Sequence, residues 1–311
     1  MACYAVPTLA PNSLTVIQTN LQHKQIAAAT LRRVLEGDNK TVALIQEPWI
    51  RNNKICGLNN ISGKLLLQTP VEKPRTCIVM PKTINASLIN QFCSRDLTAV
   101  KINSAEDQTT LVLASVYMPG EDDIPAKELA ELIQHCEANK WDVIIAADCN
   151  AHHPLWGSMD TNKRGEQLTE YLLQTNLTIL NRGTEPTFVT SRCQTTIDIT
   201  LATHKAADLV GGWHVSNEPS FADHRRICFQ IHIKPPDPIP YRNPRKTDTK
   251  IYEHILTKKL SDFEPADVTL SVDNIESNVH LWWGPELERL RKALRTLFNR
   301  VPENGILAQV L

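Results

Sequence analysis

The chain has 311 residues and a mass of 35.0 kDa, with 33 Lys and Arg residues against 34 Asp and Glu residues. The resulting net charge of −1 excludes a uniformly basic nucleic-acid coat, so any nucleic-acid contact must come from a local patch. With 42% hydrophobic and 22% charged residues, the composition is that of a globular protein that can bury a sizeable core.

Strand-like and helix-like segments alternate along the chain up to about residue 233. Apolar runs predict strands, and apolar residues repeating at helical spacing predict helices. The predicted strands span 14–18, 42–46, 76–80, 97–102, 110–117, 142–147, 195–201 and 226–233, and the predicted helices span 23–36, 125–139 and 164–175. Several strands follow one another without a helix between them, which favours an α/β architecture with mixed sheets over a purely parallel one.

A proline-rich segment, PPDPIP at 235–240, can form neither a helix nor a regular strand and predicts a domain boundary. Helical patterns return beyond it, at 250–260 and 285–300. The predicted organisation is an extension at 1–12, a main domain at 13–234, a proline-rich linker at 235–248 and a helical tail at 249–311.

The cysteines indicate a reducing environment. They stand at 3, 56, 77, 93, 136, 149, 193 and 228, without a CxxC pair or the spacing of a zinc site. Most lie in apolar stretches, so we expect free, buried thiols. The chain also lacks an apolar run of the roughly 18 residues that a membrane helix needs, and its start does not resemble a secretory signal.

Polar side chains stand where predicted strands end. They are Asn20 after the first strand, Glu47 after the second, Tyr117 at the end of the fifth, and Asp148 and Asn150 after the sixth. Because strands of an α/β fold deliver their loops to one edge of the sheet, these groups are expected to converge. Each alone has an ordinary explanation as a turn, cap or packing residue, and the joint arrangement is what indicates a site.

Two further positions carry an aspartate and a histidine. Asp198 lies within the apolar run TTIDIT, where a buried carboxylate needs a partner. Asp223 and His224 directly precede the last strand. An aspartate that holds a histidine gives an oriented imidazole, so Asp198 and His224 are a candidate pair beside a phosphate. The adjacent His152 and His153 point apart in an extended chain and do not predict a zinc site.

This set suits metal-assisted hydrolysis of a phosphodiester. Mg²⁺ prefers hard oxygen ligands and keeps several waters, so Glu47 and the side-chain carbonyl of Asn20 would suffice to hold it. Asp148 would orient or deprotonate the attacking water. Asn150 and Tyr117 would donate hydrogen bonds to phosphate oxygens.

The motifs around these residues resemble, in order, those of the endonuclease/exonuclease/phosphatase superfamily. They are QTNLQ at 18–22, QEPW at 46–49, SVYMPG at 115–120, ADCNAHHPLWGS at 147–158, TTIDIT at 195–200 and ADHRRICF at 222–229. The chain looks most like the endonuclease domain that begins the second reading frame of Jockey-like non-LTR retrotransposons. That likeness is carried by NAHHPLWGS, DTNKRGEQL at 160–168 and ILNRGTEPTFVT at 179–190. It covers about residues 13–233, and the segment 281–300 resembles the linker to a reverse transcriptase.

The resemblance implies a four-layer α/β sandwich, with two mixed β-sheets face to face and helices outside, as in DNase I. It implies Mg²⁺-dependent nicking of DNA to leave a 3′-hydroxyl that primes reverse transcription, with Mn²⁺ as a substitute ion and no small-molecule cofactor. DNA is the implied partner, together with element RNA or a separately encoded reverse transcriptase, and no membrane. The protein is expected to be intracellular and to act in the nucleus.

The resemblance also assigns roles by position. Asn20, Glu47 and Asp223 match the metal site, Tyr117, Asp148 and Asn150 match the phosphate and water residues, and Asp198 and His224 match the Asp-His pair. The chain departs from the usual motifs at a few positions. Ala147 and Cys149 stand where Gly and Phe are usual, Ala222 replaces a Ser, and Gln22 stands where some apurinic endonucleases have Asp.

Binding to DNA requires contacts to phosphate, and arginines near the motifs are the candidates. They are Arg164, Arg182, Arg192, Arg225 and Arg226. Arg225 and Arg226 adjoin His224 and are the strongest of them.

Two alternatives to a DNA endonuclease stay open. One is a phosphomonoesterase or lipid phosphatase of the same superfamily, against which the NAHHPLWGS block counts. The other is a catalytically inactive or host-captured remnant that binds nucleic acid. Retention of every reactive position favours the endonuclease over this remnant.

Overall fold

The structure, a computed structural model, describes residues 13–59, 63–67, 71–103, 110–232 and residue 254. Packing divides the chain into two units, Met1–Pro238 and Ile239–Leu311, and the elements given below belong to the first. The predicted extension at 1–12 and linker at 235–248 lie outside the described residues, as do the predicted tail helices apart from residue 254. The predicted domain boundaries therefore stay predictions.

The strands and helices are numbered along the chain. The strands are β1 (Ser13–Asn20), β2 (Thr41–Gln46), β3 (Ile50–Arg51), β4 (Lys54–Ile55), β5 (Gly63–Leu66), β6 (Thr76–Pro81), β7 (Ala86–Leu88), β8 (Leu97–Asn103), β9 (Thr110–Tyr117), β10 (Asp142–Asp148), β11 (Leu177–Ile179), β12 (Phe188–Val189), β13 (Gln194–Thr195), β14 (Asp198–Thr203), β15 (Val210–Val215) and β16 (Ile227–His232). The α-helices are α1 (Gln25–Leu35), α2 (Lys127–Ala138), α3 (Lys163–Leu172) and α4 (His204–Asp208), and a 3-10 turn spans Pro154–Trp156.

Within the described residues these strands form two six-stranded mixed sheets. The first has the order β15-β16-β1-β2-β6-β5 and the second the order β11-β14-β10-β9-β8-β7. In each sheet the central pair is parallel, β1 with β2 and β9 with β10, and the flanking strands run antiparallel to it. Two short hairpins, β3-β4 and β12-β13, stand apart from the sheets.

Three apolar layers hold this arrangement together. Between the sheets, Val16 and Val42 of the first pack with Leu113 and Ile144 of the second. The outer face of the first sheet packs on α1, and the outer face of the second packs on α2 and α3. Because the central strands are covered on both faces, they are apolar on both, and every residue of β2 is buried. The result is the predicted four-layer α/β sandwich.

The helices bury one stripe each. In α1 the buried residues are Ala27, Ala28, Leu31 and Leu35, which recur at helical spacing along one face. The predicted helices at 23–36, 125–139 and 164–175 correspond to α1, α2 and α3 with ends displaced by one to three residues. Such displacement is expected, because periodicity locates the buried face better than the ends.

One predicted strand is divided in the structure. The segment 195–201 was expected to be continuous, but Gln194–Thr195 closes the hairpin with β12, and Asp198–Thr203 pairs with β10 in the second sheet. Asp198 therefore opens a strand instead of lying in the middle of one. Its carboxylate consequently lies at the edge of the sheet where the loops meet.

The seven described cysteines are free thiols, as predicted. Cys77, Cys136 and Cys149 are buried, whereas Cys193 is exposed. Among the described residues, no helix combines the length and the apolar character needed to cross a membrane.

Two buried glutamines join the sheets by hydrogen bonds. Gln18 Nε2 of β1 donates to the carbonyls of Ala147 and Ile199 at 3.3 and 3.2 Å, and its Oε1 accepts from Thr200 Oγ1 at 2.7 Å. Gln46 Nε2 of β2 donates to Ser115 Oγ and to the carbonyl of Ala146, both at 3.0 Å. These amides place polar ties in an otherwise apolar layer, close to the edge where Asn20 and Glu47 stand.

We expect Gln18→Ala to lower the free energy of unfolding by on the order of 1–3 kcal/mol, because the Thr200 hydroxyl loses its buried acceptor. Urea unfolding followed by circular dichroism measures the change. Gln174→Ala is the matched control, since Gln174 is exposed and its side-chain amide donates to the backbone carbonyl of Glu170. Equal stability of the two variants would contradict a tie between the sheets.

Candidate active site

Strand register brings the predicted residues to one edge of the sandwich. In the first sheet, Asn20 pairs with Gln46, so Glu47 follows directly beside it. In the second sheet, Asp148 pairs with Tyr117 on one side and with Asp198 on the other. The carboxyl ends of the two parallel pairs therefore meet at the same edge, as the sequence predicted.

A cleft of about 380 Å³ opens at this edge. Its lining contains five of the predicted residues, namely Glu47, Tyr117, Asp148, Asn150 and His224. It also contains residues that were not predicted, namely Gln22, His152, Phe188, Cys193, Thr195 and Ile197.

At the base of the cleft, His224 lies between two aspartates. Its Nδ1 is 3.0 and 3.2 Å from the carboxylate oxygens of Asp198, and its Nε2 is 3.8 Å from Asp148 Oδ2. All three side chains are buried, and their potential ligand atoms lie within 4.8 Å of one another. The ring of Phe188 packs on the imidazole at a centroid distance of 4.9 Å. The structure thus forms the predicted Asp-His pair and adds Asp148 to it.

The charges of this cluster act on one another. Burial alone lowers the pKa of His224, but the neighbouring Asp198 and Asp148 outweigh it and raise that pKa above its usual value. Burial and the charge of Asp198 raise the pKa of the Asp148 carboxyl. His224 is therefore held as a cation at neutral pH, and Asp148 is a stronger base than an exposed aspartate.

Asn20 connects the two sheets at the site. Its Nδ2 donates to Asp148 Oδ2 at 2.8 Å, and its Oδ1 accepts from the backbone N–H of Gln22 at 2.8 Å. The amide is buried, so both contacts orient it firmly. A carbonyl oxygen has two lone pairs, and the second one of Oδ1 can serve a cation.

Glu47 and Asn150 leave their strands through left-handed backbone conformations. Their φ angles are 45° and 46°, which turn the chain sharply at the ends of β2 and β10. The Glu47 carboxylate reaches the cleft, where His23 Nε2 lies 3.8 Å away. Asn150 Nδ2 donates to the carbonyl of Met118 at 3.1 Å, which leaves its second N–H to donate elsewhere.

Tyr117 presents a protonated hydroxyl to the cleft. Burial, together with the charges of Glu47 and Asp148, raises its pKa to about 12. Its ring lies under the guanidinium of Arg75 at 4.7 Å, and Arg75 is itself paired with Asp96. The hydroxyl is therefore a hydrogen-bond donor over the whole physiological pH range.

Asp223 is engaged elsewhere. Gln22 Nε2 donates to its Oδ2 and Lys24 Nζ to its Oδ1, both at 3.1 Å, and Gln22 Oε1 accepts its backbone N–H at 2.8 Å. The bonds from Gln22 and Lys24 lower the pKa of this carboxyl. Asp223 lines a neighbouring depression, and Gln22 connects it to the cleft, so its predicted place in the metal site stays a prediction.

The predicted arginines fall into different environments. Arg226 is only 3% exposed, and its guanidinium bonds to Glu218 and to the carbonyl of Pro219. Arg226 is thus occupied inside the protein, because successive residues leading into β16 face opposite sides, and its predicted contact with phosphate stays a prediction. Arg225 bonds to Glu185 and Asn217.

Of the other three arginines, Arg182 is exposed, and Arg164 and Arg192 differ from each other in their surroundings. Arg164 bonds to the backbone carbonyls of Asp122 and Cys149, and so supports the loop that carries Asn150. Arg192 is exposed in the turn between β12 and β13, next to Cys193 of the cleft. Arg192 is therefore the predicted arginine that is best placed to reach a bound phosphate.

Two features of the cleft escaped the sequence analysis. His152 lines it with Nδ1 at 2.9 and 3.0 Å from the Asp160 carboxylate, which orients the ring. Phe188 and Thr195 form a cross-strand pair of the β12-β13 hairpin and face the cleft together. The aromatic within GTEPTFVT was the available signal for this wall, but a two-residue strand has no detectable periodicity.

The donor set fits a hard cation. Glu47 supplies a carboxylate at the cleft and Asn20 a carbonyl oxygen, and such oxygens are the ligands preferred by magnesium and similar ions. The His224 cluster is also of a composition that could contact a divalent ion. The described residues thus provide a place for a metal next to the buried Asp148.

Comparisons with known proteins agree with this geometry. The family model described as endonuclease-reverse transcriptase matches residues 111–228. The endonuclease domain of TRAS1, a telomere-specific non-LTR retrotransposon, is 26% identical, with 71% of this chain and 99% of that chain covered and a TM-score of 0.60. No curated protein matches the chain by sequence.

More distant structures share the fold alone. The AP endonuclease LMAP from Leishmania major is 13% identical, with 71% of this chain and 88% of that chain covered and a TM-score of 0.58. The catalytic domain of APE2 from Xenopus laevis is 14% identical, with 73% and 94% covered and a TM-score of 0.55. The chain therefore has the fold of these nucleases, and the family model and the match to the TRAS1 domain make it similar to the endonuclease domain of a non-LTR retrotransposon.

Proposed function

We propose that this protein is a Mg²⁺-dependent DNA endonuclease that nicks one strand and leaves a 3′-hydroxyl. The observation that carries the proposal is the position of Asp148, which is buried at the base of an open cleft and held between the Asn20 amide and the His224 imidazole. The matching endonuclease-reverse transcriptase family model and the similar TRAS1 endonuclease domain support DNA as the substrate. An enzyme of this kind would act in the nucleus, with element RNA and a reverse transcriptase as partners.

Asp148 is proposed to activate the attacking water. Its carboxylate accepts from Asn20 on one oxygen, and it faces the cleft where a water and a phosphate would meet. The water oxygen attacks phosphorus, the water proton passes to Asp148, and the P–O3′ bond breaks. The departing 3′ oxygen takes a proton from solvent water at the open cleft and becomes the hydroxyl. The raised pKa of Asp148 suits it to accept a proton at neutral pH.

His224 is proposed to stabilise the charge that grows on the phosphate. Asp198 fixes the ring through Nδ1, so that Nε2 points toward Asp148 and the cleft. An imidazolium placed before the reaction costs no reorganisation when the pentavalent phosphorus forms. Asp198 acts through His224 and is a positioning residue.

Tyr117 and Asn150 are proposed to hold the scissile phosphate. The phenol hydroxyl and the remaining amide N–H are uncharged donors that line the same cleft. Two fixed donors restrict the phosphate to one orientation toward the water on Asp148.

Mg²⁺ would be held by Glu47 and Asn20. When bound, such an ion neutralises phosphate charge and polarises the phosphorus–oxygen bonds. Mn²⁺, which takes similar oxygen ligands, would serve as a substitute. Asp223 is left out of the direct ligands because it is paired with Lys24 and lines the neighbouring depression.

The test is nicking of supercoiled plasmid by the purified full chain in Mg²⁺. We expect Glu47→Ala and His224→Ala each to reduce the nicking rate by at least about 100-fold, through loss of the metal ligand and of the cation beside the phosphate. Glu170→Ala, at an exposed position of α3, is the matched control and should nick at the wild-type rate. Normal nicking by His224→Ala would overturn the assignment of the site. A folded wild-type protein that binds DNA without nicking it would favour the inactive binding protein.

Removal of divalent ions should stop the reaction. We expect EDTA to abolish nicking, and excess Mg²⁺ or Mn²⁺ to restore it, because the carboxylate and amide oxygens bind such ions reversibly. A DNA polymerase should then extend the nicked product without prior end repair, since it requires a 3′-hydroxyl. Nicking in the presence of EDTA would contradict the dependence on a divalent ion. Nicks that a polymerase cannot extend would contradict cleavage that leaves a 3′-hydroxyl.

The arginines should separate DNA affinity from stability. Arg192→Ala is expected to weaken DNA binding and to reduce the salt dependence by about one phosphate contact, with an unchanged Tm. Arg226→Ala is expected to lower the Tm by about 5 °C, since it removes a buried side chain together with its bonds to Glu218 and to the Pro219 carbonyl. Filter binding at several salt concentrations and differential scanning calorimetry measure the two effects. An exchange of these phenotypes would reverse the assignment.

A further inference from the structure

Phe221 is an exposed aromatic residue that stands three positions before His224. Its side chain is 51% exposed, and its backbone lies in the left-handed region with a φ of 61°. A bulky residue is uncommon in that region, and such residues concentrate at functional sites. The fold therefore holds a large apolar ring at the surface next to the proposed active site.

The turn around Phe221 is fixed by a hydroxyl. Ser220 Oγ donates to the carbonyl of Ala222 at 3.0 Å, and it accepts from the backbone N–H of Ala222 at 3.2 Å. These contacts join the two residues that flank Phe221 in the chain. The ring is thus presented by a constrained turn, which lowers the entropy cost of using it for binding.

Phe221 lines a depression of about 520 Å³. Apolar side chains form much of it, and amides and charged groups stand at its margins. The apolar residues include Val189, Phe221 and Ala222, and Gln194 and Asn217 contribute the amides. The volume is in the range of small-molecule binding sites.

The depression and the active-site cleft share the β12-β13 hairpin as a wall. The cross-strand pair Phe188 and Thr195 lines the cleft, whereas the next pair, Val189 and Gln194, lines the depression. Successive residues of a strand face opposite sides, so the two sites lie on the two faces of one hairpin. A nucleic-acid strand bound in the cleft therefore passes close to the depression.

The charges in the depression favour a neutral group over a phosphate. Glu185 pairs with Arg225 at 3.0 Å, Glu218 with Arg226 at 3.5 Å, and Asp223 with Lys24 at 3.1 Å. These pairs leave little net positive charge to attract an anion. An aromatic face with amide groups beside it matches a nucleobase, which stacks on the ring and offers polar edges to Asn217 and Gln194.

We propose that this depression binds one nucleobase of the substrate DNA, stacked on the ring of Phe221, at a position outside the scissile phosphate. The proposal rests on the proposed DNA endonuclease function and adds a specificity site to it. The Phe221 ring supplies stacking, which every base can use, and Asn217 and Gln194 supply a preference among bases.

The test is a binding titration of the full chain in EDTA, so that no cleavage is needed. The probes are duplexes that carry the fluorescent base 2-aminopurine at one position each, on either side of a site that the wild type nicks or, failing such a site, across a random duplex. We expect strong quenching at one position. Phe221→Ala should abolish that quenching and weaken binding about tenfold, in line with a stacking free energy of about 1.4 kcal/mol.

Two substitutions distinguish stacking from general apolar contact. Phe221→Trp should restore quenching and affinity, whereas Phe221→Leu should behave like Phe221→Ala. Leu173→Ala, at an exposed apolar position after α3, is the control and should bind like the wild type. Equal binding by the Leu and wild-type proteins would overturn a stacked base and indicate a patch for another protein.

A cycle with an abasic analogue completes the test. Removing the base at the quenched position should weaken wild-type binding about tenfold and leave Phe221→Ala binding unchanged, because the two changes delete the same contact. Additive losses at every position would overturn the proposal. Nicking is measured in parallel. Normal nicking without any position at which a base stacks would overturn the base-binding site but not the proposed endonuclease function. A folded wild-type protein that neither binds nor nicks DNA would overturn the proposed function as well.

Discussion

Two carboxylates buried side by side are the constraint around which this site is built. Asp148 and Asp198 face each other across β10 and β14, and both are almost fully buried. Like charges at this separation repel strongly where water is excluded, so the pair requires a cation. His224 provides it, 3.0 Å from one carboxylate and 3.8 Å from the other. The same arrangement that compensates the charges therefore gives an imidazolium fixed beside a basic carboxylate, which is what phosphodiester hydrolysis needs.

The packing of the two sheets determines where this cluster meets its partners. Asn20 comes from β1 of the first sheet, yet its amide holds Asp148 of the second at 2.8 Å. Gln46, which pairs with Asn20 in the first sheet, and Gln18, two residues before Asn20, make similar bonds between the sheets. A shift of one sheet against the other would break all of these contacts together. Stability and site geometry are thus linked through the same layer, and the Glu47 carboxylate depends on it for its place in the cleft.

Much of this arrangement could be predicted from local sequence, because strand ends are local features. Polar residues after apolar runs identified Asn20, Glu47 and Asp148, and parallel pairing explains why they meet. What could not be predicted depends on contacts between distant residues. Lys24, for example, bonds to Asp223, which lies 199 positions further along the chain. Arg226 faces inward while its neighbour Arg225 stays near the surface, and only the register of the turn before β16 decides which of them is buried.

The departures from the usual family motifs lie where they spare the reactive groups. Ala147 and Cys149 flank Asp148, and since side chains alternate along a strand they point away from it, into the layer packed on α2 and α3. The Cys149 thiol donates to the carbonyl of Ile197 at 3.0 Å and so ties the end of β10 to the approach of β14. Ala222 has no hydroxyl, but Ser220 bonds both of its backbone groups. These residues belong to core packing and to a turn, while the polar atoms that face the cleft come from other residues. The same Ser220 bonds also fix the turn that presents Phe221. Ala222, where the motif usually has Ser, is therefore part of the turn that carries the exposed aromatic ring beside the site.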